Sequence, residues 1–364
     1  MRIGFLIDHS VPSLAAVLAR KAWPHHLLFG WNTHSPMAEM RFGWIAREIN
    51  RSGAGMRYEL YRPWRRYEVV VFVKSMSAEC LALAHRLKQQ GTKVIFDINV
   101  DYFTPASGTF YYEKMAPAAA QREEALAMAH AADALIAASS HLARVCAPLN
   151  SRVSWVPDNV RPDLLPARGH VAPSATLSLW WSGEPVKLFE LLLIEPVLRK
   201  FKHRLHLHLV THSLAAMDRW TDDLKPRFVA MLAEVPHTIH PFRSVPDLLR
   251  LYSGTPGLTI SPRFLDNTYN LGHTEWKITL AMACGLPALC SPVPSYRAVL
   301  ERSRAGAMEV CATLADWEEH LSRALEGKWE LDEAGEAARQ VVHEHYSTPV
   351  VARQHRAVIE ACTA

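Results

Sequence analysis

The chain lacks most of the features that would tie it to a specialised compartment or cofactor. Its six cysteines (Cys80, Cys146, Cys284, Cys290, Cys311 and Cys362) include no C-x-x-C pair and sit mostly inside apolar runs. That argues against a disulfide scaffold or a zinc ribbon and reads as a reduced, cytoplasmic protein. No apolar stretch approaches the roughly 20 residues of a membrane-spanning helix. The N-terminal run Ile3–Ile7, ended by Asp8, is far too short for a signal peptide. Charge of one sign is lacking too: 40 Lys+Arg against 36 Asp+Glu leave +4, too mild to imply nucleic acid. There is no G-x-G-x-x-G, G-x-x-x-x-G-K-[ST] or G-x-S-x-G, which argues against dinucleotide oxidoreductases, P-loop enzymes and α/β-hydrolases. No short-period repeat and no low-complexity tract is present.

What is there is the composition of a soluble globular protein, 49% hydrophobic and 21% charged, in 364 residues, a length comfortable for two domains. The basic excess lies in the first half, where residues 1–160 carry 18 Lys+Arg against 13 Asp+Glu. That suits an anionic partner or a weak peripheral membrane contact there. Short apolar runs alternate with helical patterns. Strands are expected at 1–7, 57–60, 68–73, 93–96, 134–138 and 153–156, with helices at 37–50, 78–90, 123–132 and 140–147. Continuous apolar runs such as Glu68–Val73 mark central parallel strands, and the alternation implies βαβ units. From Val156 to Ser174 the pattern lapses into Pro157, Pro162, Pro166, Gly169 and Pro173, a linker composition. It then restarts, with strands at 177–181, 205–210, 238–239 and 258–261 and helices at 187–201, 224–232, 246–251, 316–325 and 350–361.

The expected fold class is therefore α/β, with two Rossmann-like doubly wound parallel-sheet domains facing across a cleft. Residues 1–160 form the first domain, 161–174 a Pro-rich hinge and 175–345 the second domain. Ligands of such sheets bind beyond the carboxyl ends of the strands. That rule selects Asp8–Ser10, Asp97–Asp101, Ser182–Lys187 and Arg263–Lys277.

The stretch Leu258–Ser291 is the most informative. It reads as strand, polar loop, helix, strand, with Thr274 as the helix cap and Gly285 and Pro287 as its stop. Lys277 falls in the first turn, where the helix dipole disfavours a cation. A bound anion would reverse that sign, since free N–H groups and the ammonium would share one ligand. Glu275 in the same turn offers the alternative of local neutralisation.

Lys277 to Pro287, K-x-x-x-A-M-A-C-G-L-P, resembles a block of the GT-B glycosyltransferases, especially the family-4-like group (glycosyl transferases group 1). Ala132–Ile136 with Ser139, and Val156-Pro157-Asp158-Asn159-Val160, look like the end of that group's N-terminal domain. Trp181-Ser182-Gly183 with Lys187 is similar to its glycine–lysine element. The resemblance implies a nucleotide-diphosphate-sugar donor as substrate, bound without metal or other cofactor by the C-terminal domain. It implies a sugar, lipid-linked or protein acceptor at the N-terminal domain, and a C-terminal helix (346–364) crossing back to that domain. The chain departs from the group at three places. Gly272 and Leu280 stand where a pair of glutamates is common, Glu184 replaces an arginine, and Val11-Pro12-Ser13 replaces a glycine-rich turn. Two alternatives stay in view: a nucleotide-sugar epimerase, against which the missing glutamates count, and a catalytically degenerate GT-B-like binding or partner subunit, which they support.

A nucleoside diphosphate leaving group needs its developing charge neutralised. Gly183, Lys187, Arg263, His273, Thr274, Glu275 and Lys277 are the donor-binding candidates. Asp97 and Asp101, at a predicted strand end, are the catalytic candidates, as general base or as groups orienting sugar or acceptor. Asp97 as a mere strand-terminating carboxylate is the competing reading, and each cation has that of a solvated surface charge. Asp8 and His9 lie at a comparable strand end. His206 and His208 share a strand face but lack a third metal ligand, so a polar face is expected and no metal. YRPWRRYE (Tyr61–Glu68) reads as a solvated loop ahead of a lipid headgroup contact.

Overall fold

The structure is a computed structural model that describes residues 1–7, 36–53, 55–112, 115–166, 176–220 and 224–364. Asp8, His9, Ser10, Val11-Pro12-Ser13, His25-His26 and the linker residues 167–174 lie outside the described residues. The chain divides into two compact units. One comprises Met1–Pro105, Pro117–Asn159 and Thr348–Ala364, the other Ala106–Ala116 and Val160–Ser347. The short segment Ala106–Ala116 thus folds with the second unit, although the sequence reading had placed all of 1–160 in the first.

The first unit is built on a wholly parallel six-stranded sheet. Its strands are β1 (Arg2–Leu6), β2 (Arg57–Leu60), β3 (Val69–Val73), β4 (Lys93–Ile98), β5 (Ala134–Ala137) and β6 (Val153–Trp155), in the order β2-β1-β3-β4-β5-β6. All five residues of β3 are buried, as a central strand covered on both faces requires. The helix Ala78–Gln89 starts at Ser77, whose hydroxyl accepts from the Cys80 amide. The Thr348–Thr363 helix buries Val351, Ala352, Ile359 and Cys362 in a cluster with Ile3, Phe5, Ile45 and Val71. The helix expected over 37–50 is interrupted by a π-helical stretch, Glu39–Gly43, before the α-helix Trp44–Arg51. Arg41 sits in that stretch, fully buried.

The second unit repeats the plan with β7 (Leu177–Ser182), β8 (Leu205–Thr211), β9 (His237–Pro241), β10 (Gly257–Ser261), β11 (Ala288–Cys290) and β12 (Met308–Val310), ordered β12-β11-β10-β7-β8-β9. Every pairing is parallel. The helix expected over 187–201 is instead a 3₁₀ stretch, Pro185–Ile194, followed by the α-helix Glu195–Lys200. Pro196 explains the break, because its ring and missing N–H forbid a continuous α-helix through it. Leu179, Trp181, Leu207, Leu209, Leu258 and Ile260 supply the strand side of the core. Leu188, Phe189, Phe228, Met231 and Trp317 cover it, together with Tyr112 and Met115 from the inserted segment.

In this second sheet β7 is succeeded by β8 and β9 on one side, and the chain then returns to place β10 on the other. The order reverses between β7 and β10, and a crevice for ligands opens beyond the carboxyl ends of such a pair.

Candidate anion site of the second unit

The groups singled out from the sequence converge on that reversal point. β7 ends at Ser182, whose hydroxyl accepts from Tyr252 Oη at 2.7 Å. Gly183 follows, its amide donating to Val210 O (3.1 Å) and its carbonyl accepting from Thr211 Oγ1 (2.8 Å). A Cβ at Gly183 would lie 2.9 Å from Lys277 Nζ and 3.2 Å from Trp181 Cη2. A side chain at this position would push the lysine tip away from the chain.

Lys277 comes from the other side of the reversal. The helix Trp276–Ala283 packs on β10 and carries Lys277 in its first turn. The Lys277 stem is partly exposed, but its ammonium nitrogen is buried and has no hydrogen-bond partner among the described residues. Its neighbour is an aromatic face, with Nζ 4.3 Å from the centroid of Trp181. Burial, and secondarily the Arg263 charge, hold this ammonium well below the ordinary lysine value. A buried ammonium with no acceptor is expensive, and an anionic ligand is the group that would complete it.

Lys187 lies on the 3₁₀ stretch, buried, with Nζ 2.5 Å from His273 Nε2 and 4.9 Å from the Tyr269 ring centroid. Arg263, just beyond β10, is also buried. Its Nη1 meets both Glu190 oxygens, at 2.9 and 3.1 Å, and its amide donates to Ser291 Oγ (2.8 Å). The guanidinium is therefore already paired, and its effect on a ligand is that of a neutralised ion pair rather than of a free cation. Thr274 does not cap the helix. Glu275 occupies the cap position in helical conformation, fully buried and making no side-chain cap bond. Gly183, Lys187, His273 and Lys277 are thus brought together; Arg263 is adjacent through its charge.

Three members of the group were not read from sequence as contributors. Trp181 had been seen only as part of a motif, not as the face under Lys277. Glu190 is a lone carboxylate inside an apolar run, which is the usual signature of a buried ion pair. Tyr269 gave no signal. Burial alone would raise its phenol, yet the value is lowered by Lys187, by the bond to Tyr112 and by Arg263.

The two aspartates of the first unit are differently engaged. Asp97 is fully buried, with Oδ1 held by Arg41 Nη2 (2.6 Å) and Nε (3.1 Å). Arg41 Nη1 also reaches Asp158 Oδ1 (3.2 Å) and Val156 O (2.9 Å). Burial raises the Asp97 value against the pull of Arg41. This carboxylate is tied into a buried cluster with Arg41 and Asp158 rather than lying open at the strand end. Asp101 Oδ1 accepts from the Phe103 and Thr104 amides (3.0 Å each), and Oδ2 accepts from Thr104 Oγ1 (2.7 Å). Those bonds, with His141, keep it below the usual carboxylate range despite burial. His141 Nε2 lies 3.7 Å from Oδ2 and is the more exposed partner. The histidines of β8 are occupied by residues of the neighbouring strands β7 and β9. His208 stacks on Trp180 at 4.2 Å and meets His240 at 3.1 Å, while His206 meets Thr238 at 2.8 Å.

Two six-stranded parallel sheets with surrounding helices are the plan of the GT-B class of fold. Solved structures agree. The chain is similar to HepE from Anabaena, crystallised with UDP and glucose, at 10% identity and a TM-score of 0.62 over 99% of this chain and 100% of that one. It is similar to a glycosyltransferase from Rickettsia africae at 12% identity and a TM-score of 0.58, covering 91% and 83%. A third likeness is to sucrose-phosphate synthase from Thermosynechococcus elongatus, at 13% identity and a TM-score of 0.58, covering 89% and 78%. No protein-family model matches the sequence. No curated protein matches it either. The chain has the GT-B fold.

Proposed function

We propose that the chain is a cytoplasmic, metal-independent glycosyltransferase. In this reading the second unit holds a nucleoside-diphosphate sugar, and the sugar passes to a sugar, lipid-linked or protein acceptor at the first unit. The observation that carries the reading is Lys277, a buried ammonium without an acceptor among the described residues, in a helical first turn and beside a glycine that leaves it room. A diphosphate there would receive the ammonium at the start of the Trp276–Ala283 helix and, through Lys187 and His273, a second cation. Charge developing on the leaving diphosphate as the glycosidic bond breaks would meet donors already in place. Solved neighbours crystallised with UDP and with UDP-glucose support this choice of ligand.

On the acceptor side, Asp101 would act through His141, orienting the imidazole as the proton-accepting group. Peripheral contact with an anionic membrane belongs to the proposal too, through the loop 61–68 where Trp64 is 57% exposed beside Arg62, Arg65 and Arg66. The test is calorimetry with UDP, GDP and ADP and their sugars, on wild type and Lys277→Ala, followed by donor turnover. Binding that vanishes in the variant supports the site; binding that persists removes Lys277 from it. His141→Ala should abolish transfer and spare nucleotide binding.

A second reading, a donor-binding subunit without transferase activity, is favoured by one observation. Both aspartates expected to be catalytic are engaged by their own surroundings. Nucleotide binding without hydrolysis or transfer of any donor would select it.

A further inference from the structure

The segment Ala106–Ala116 belongs to the second unit although the sequence on either side of it belongs to the first. Its contacts concentrate on the loop 263–273, which precedes Lys277. Gly108 and Asn267 form an isolated antiparallel bridge. The Thr268 amide donates to Ser107 O (3.2 Å), and the Ser107 amide donates to Thr268 Oγ1 (3.4 Å). Tyr111 Oη donates to Asp266 Oδ2 at 2.7 Å, and its ring lies 4.3 Å from Phe264 and 5.1 Å from Phe189. Tyr112 bridges to Trp220.

We infer that residues 107–112 are a clamp on this loop, and that Gly108 and Tyr111 are positioning residues for nucleotide binding although they lie outside the cation cluster. The inference rests on the donor reading above. Two features carry it. The first is fit: Gly108 has φ +91, and a Cβ there would stand 1.5 Å from Asp266 O and 2.7 Å from Asn267 Cα. No other residue can occupy that position without moving the clamp off the loop.

The second is the path from the clamped residues to the cations. Asn267 Oδ1 accepts from the Asn270 amide (2.9 Å), and Asn270 Nδ2 donates to Phe264 O (2.9 Å). These bonds shape the helical turn Thr268–Leu271. That turn carries Tyr269, whose ring is 4.8 Å from His273 and 4.9 Å from Lys187 Nζ. The His273 amide closes on Asn270 O at 3.3 Å. A shift at Asp266 or Asn267 therefore reaches the Lys187–His273 pair through bonded neighbours.

The experiment uses the full chain and UDP as the probe. Gly108→Ala should weaken UDP binding about tenfold or more, by displacing the clamp. Tyr111→Phe keeps the ring stack but loses the bond to a carboxylate, and should weaken UDP binding about threefold to tenfold. Asp266→Asn should cost a similar factor, and the Tyr111→Phe/Asp266→Asn double variant no more than either alone. Hydrogen exchange at the amides of 264–273 should quicken in Gly108→Ala and Tyr111→Phe. A lowered melting temperature with unchanged UDP affinity would mark the segment as merely structural and overturn the inference. So would unchanged exchange in both variants. Loss of UDP binding in Lys277→Ala alone would uphold the donor site while rejecting the clamp. If wild type binds no nucleoside diphosphate, the donor reading fails and the positioning role with it, whereas the exchange data still decide whether the clamp holds the loop.

Discussion

Replacing Lys277 by methionine should make the ligand-free protein more stable and unable to bind nucleotide. Methionine matches the lysine stem in length and flexibility, so the packing beside Trp181 survives. What disappears is a buried ammonium lacking a hydrogen bond among the described residues. An unmade bond to a charged group costs about 1.5–3 kcal/mol, and the Trp181 face at 4.3 Å returns about 0.5–2 kcal/mol of it. The net gain from methionine is therefore about 1 kcal/mol, or about 2–4 °C in melting temperature for a unit of this size. In wild type, nucleotide at about a hundred times its Kd should add about 2.7 kcal/mol, and in the variant that increment should vanish.

The pH dependence has a definite sign. Burial holds the Lys277 value below that of the unfolded chain, so the folded state binds fewer protons. Its contribution is then unfavourable at and below neutral pH and is relieved as pH rises towards the unfolded value. A bound diphosphate raises the value again. Binding should therefore draw in a proton at pH values between the free and bound constants, which calorimetry in buffers of different ionisation enthalpy detects. A Lys277→Met protein that melts lower, or that keeps the full nucleotide shift, would refute this reasoning.

Other expectations follow from the same geometry. Gly183→Ala puts a methyl 2.9 Å from Lys277 Nζ and should weaken UDP binding by about tenfold, roughly 1.4 kcal/mol, as titration calorimetry would show. Arg41→Met leaves Asp97 and Asp158 buried without their shared cation and should cost about 3–5 kcal/mol in urea unfolding. His355 is buried, bonded to Tyr58 Oη at 3.1 Å and pushed down to about 3, first by burial and then by the Arg41 charge. Its folded value lies below the unfolded one, so stability falls as pH drops from about 6.5 towards 3, by up to about 1.4 kcal/mol per unit. Acid unfolding of His355→Phe should show a shallower slope over that window.

Most strands were legible because a parallel strand covered on both faces leaves a continuous apolar run, as in Val69–Val73 and Ala134–Ala137. Edges were less visible. β12 is three residues long with two of them only half-buried, too brief to stand out from a loop. Gly183, Lys187 and Lys277 could be chosen because strand ends and helix starts are where ligands meet backbone N–H groups. Their partners could not, since pairing Arg263 with Glu190 or Lys187 with His273 depends on residues more than seventy positions apart. The burial of Asp97 was hidden for a related reason. A strand-end carboxylate looks exposed until a buried arginine from a π-helical stretch closes over it. The inserted segment 106–116 left no mark because its aromatics satisfy surfaces built much later in the chain.

That insertion, together with the last helix, means that neither unit is a continuous stretch of polypeptide. Cutting a gene at the proline-rich region would release an N-terminal fragment without Thr348–Ala364, and a C-terminal one stripped of Ala106–Ala116. On the ribosome the first unit would likewise wait for Thr348–Thr363, made about 340 residues later, before Ile3 and Phe5 gained their cover.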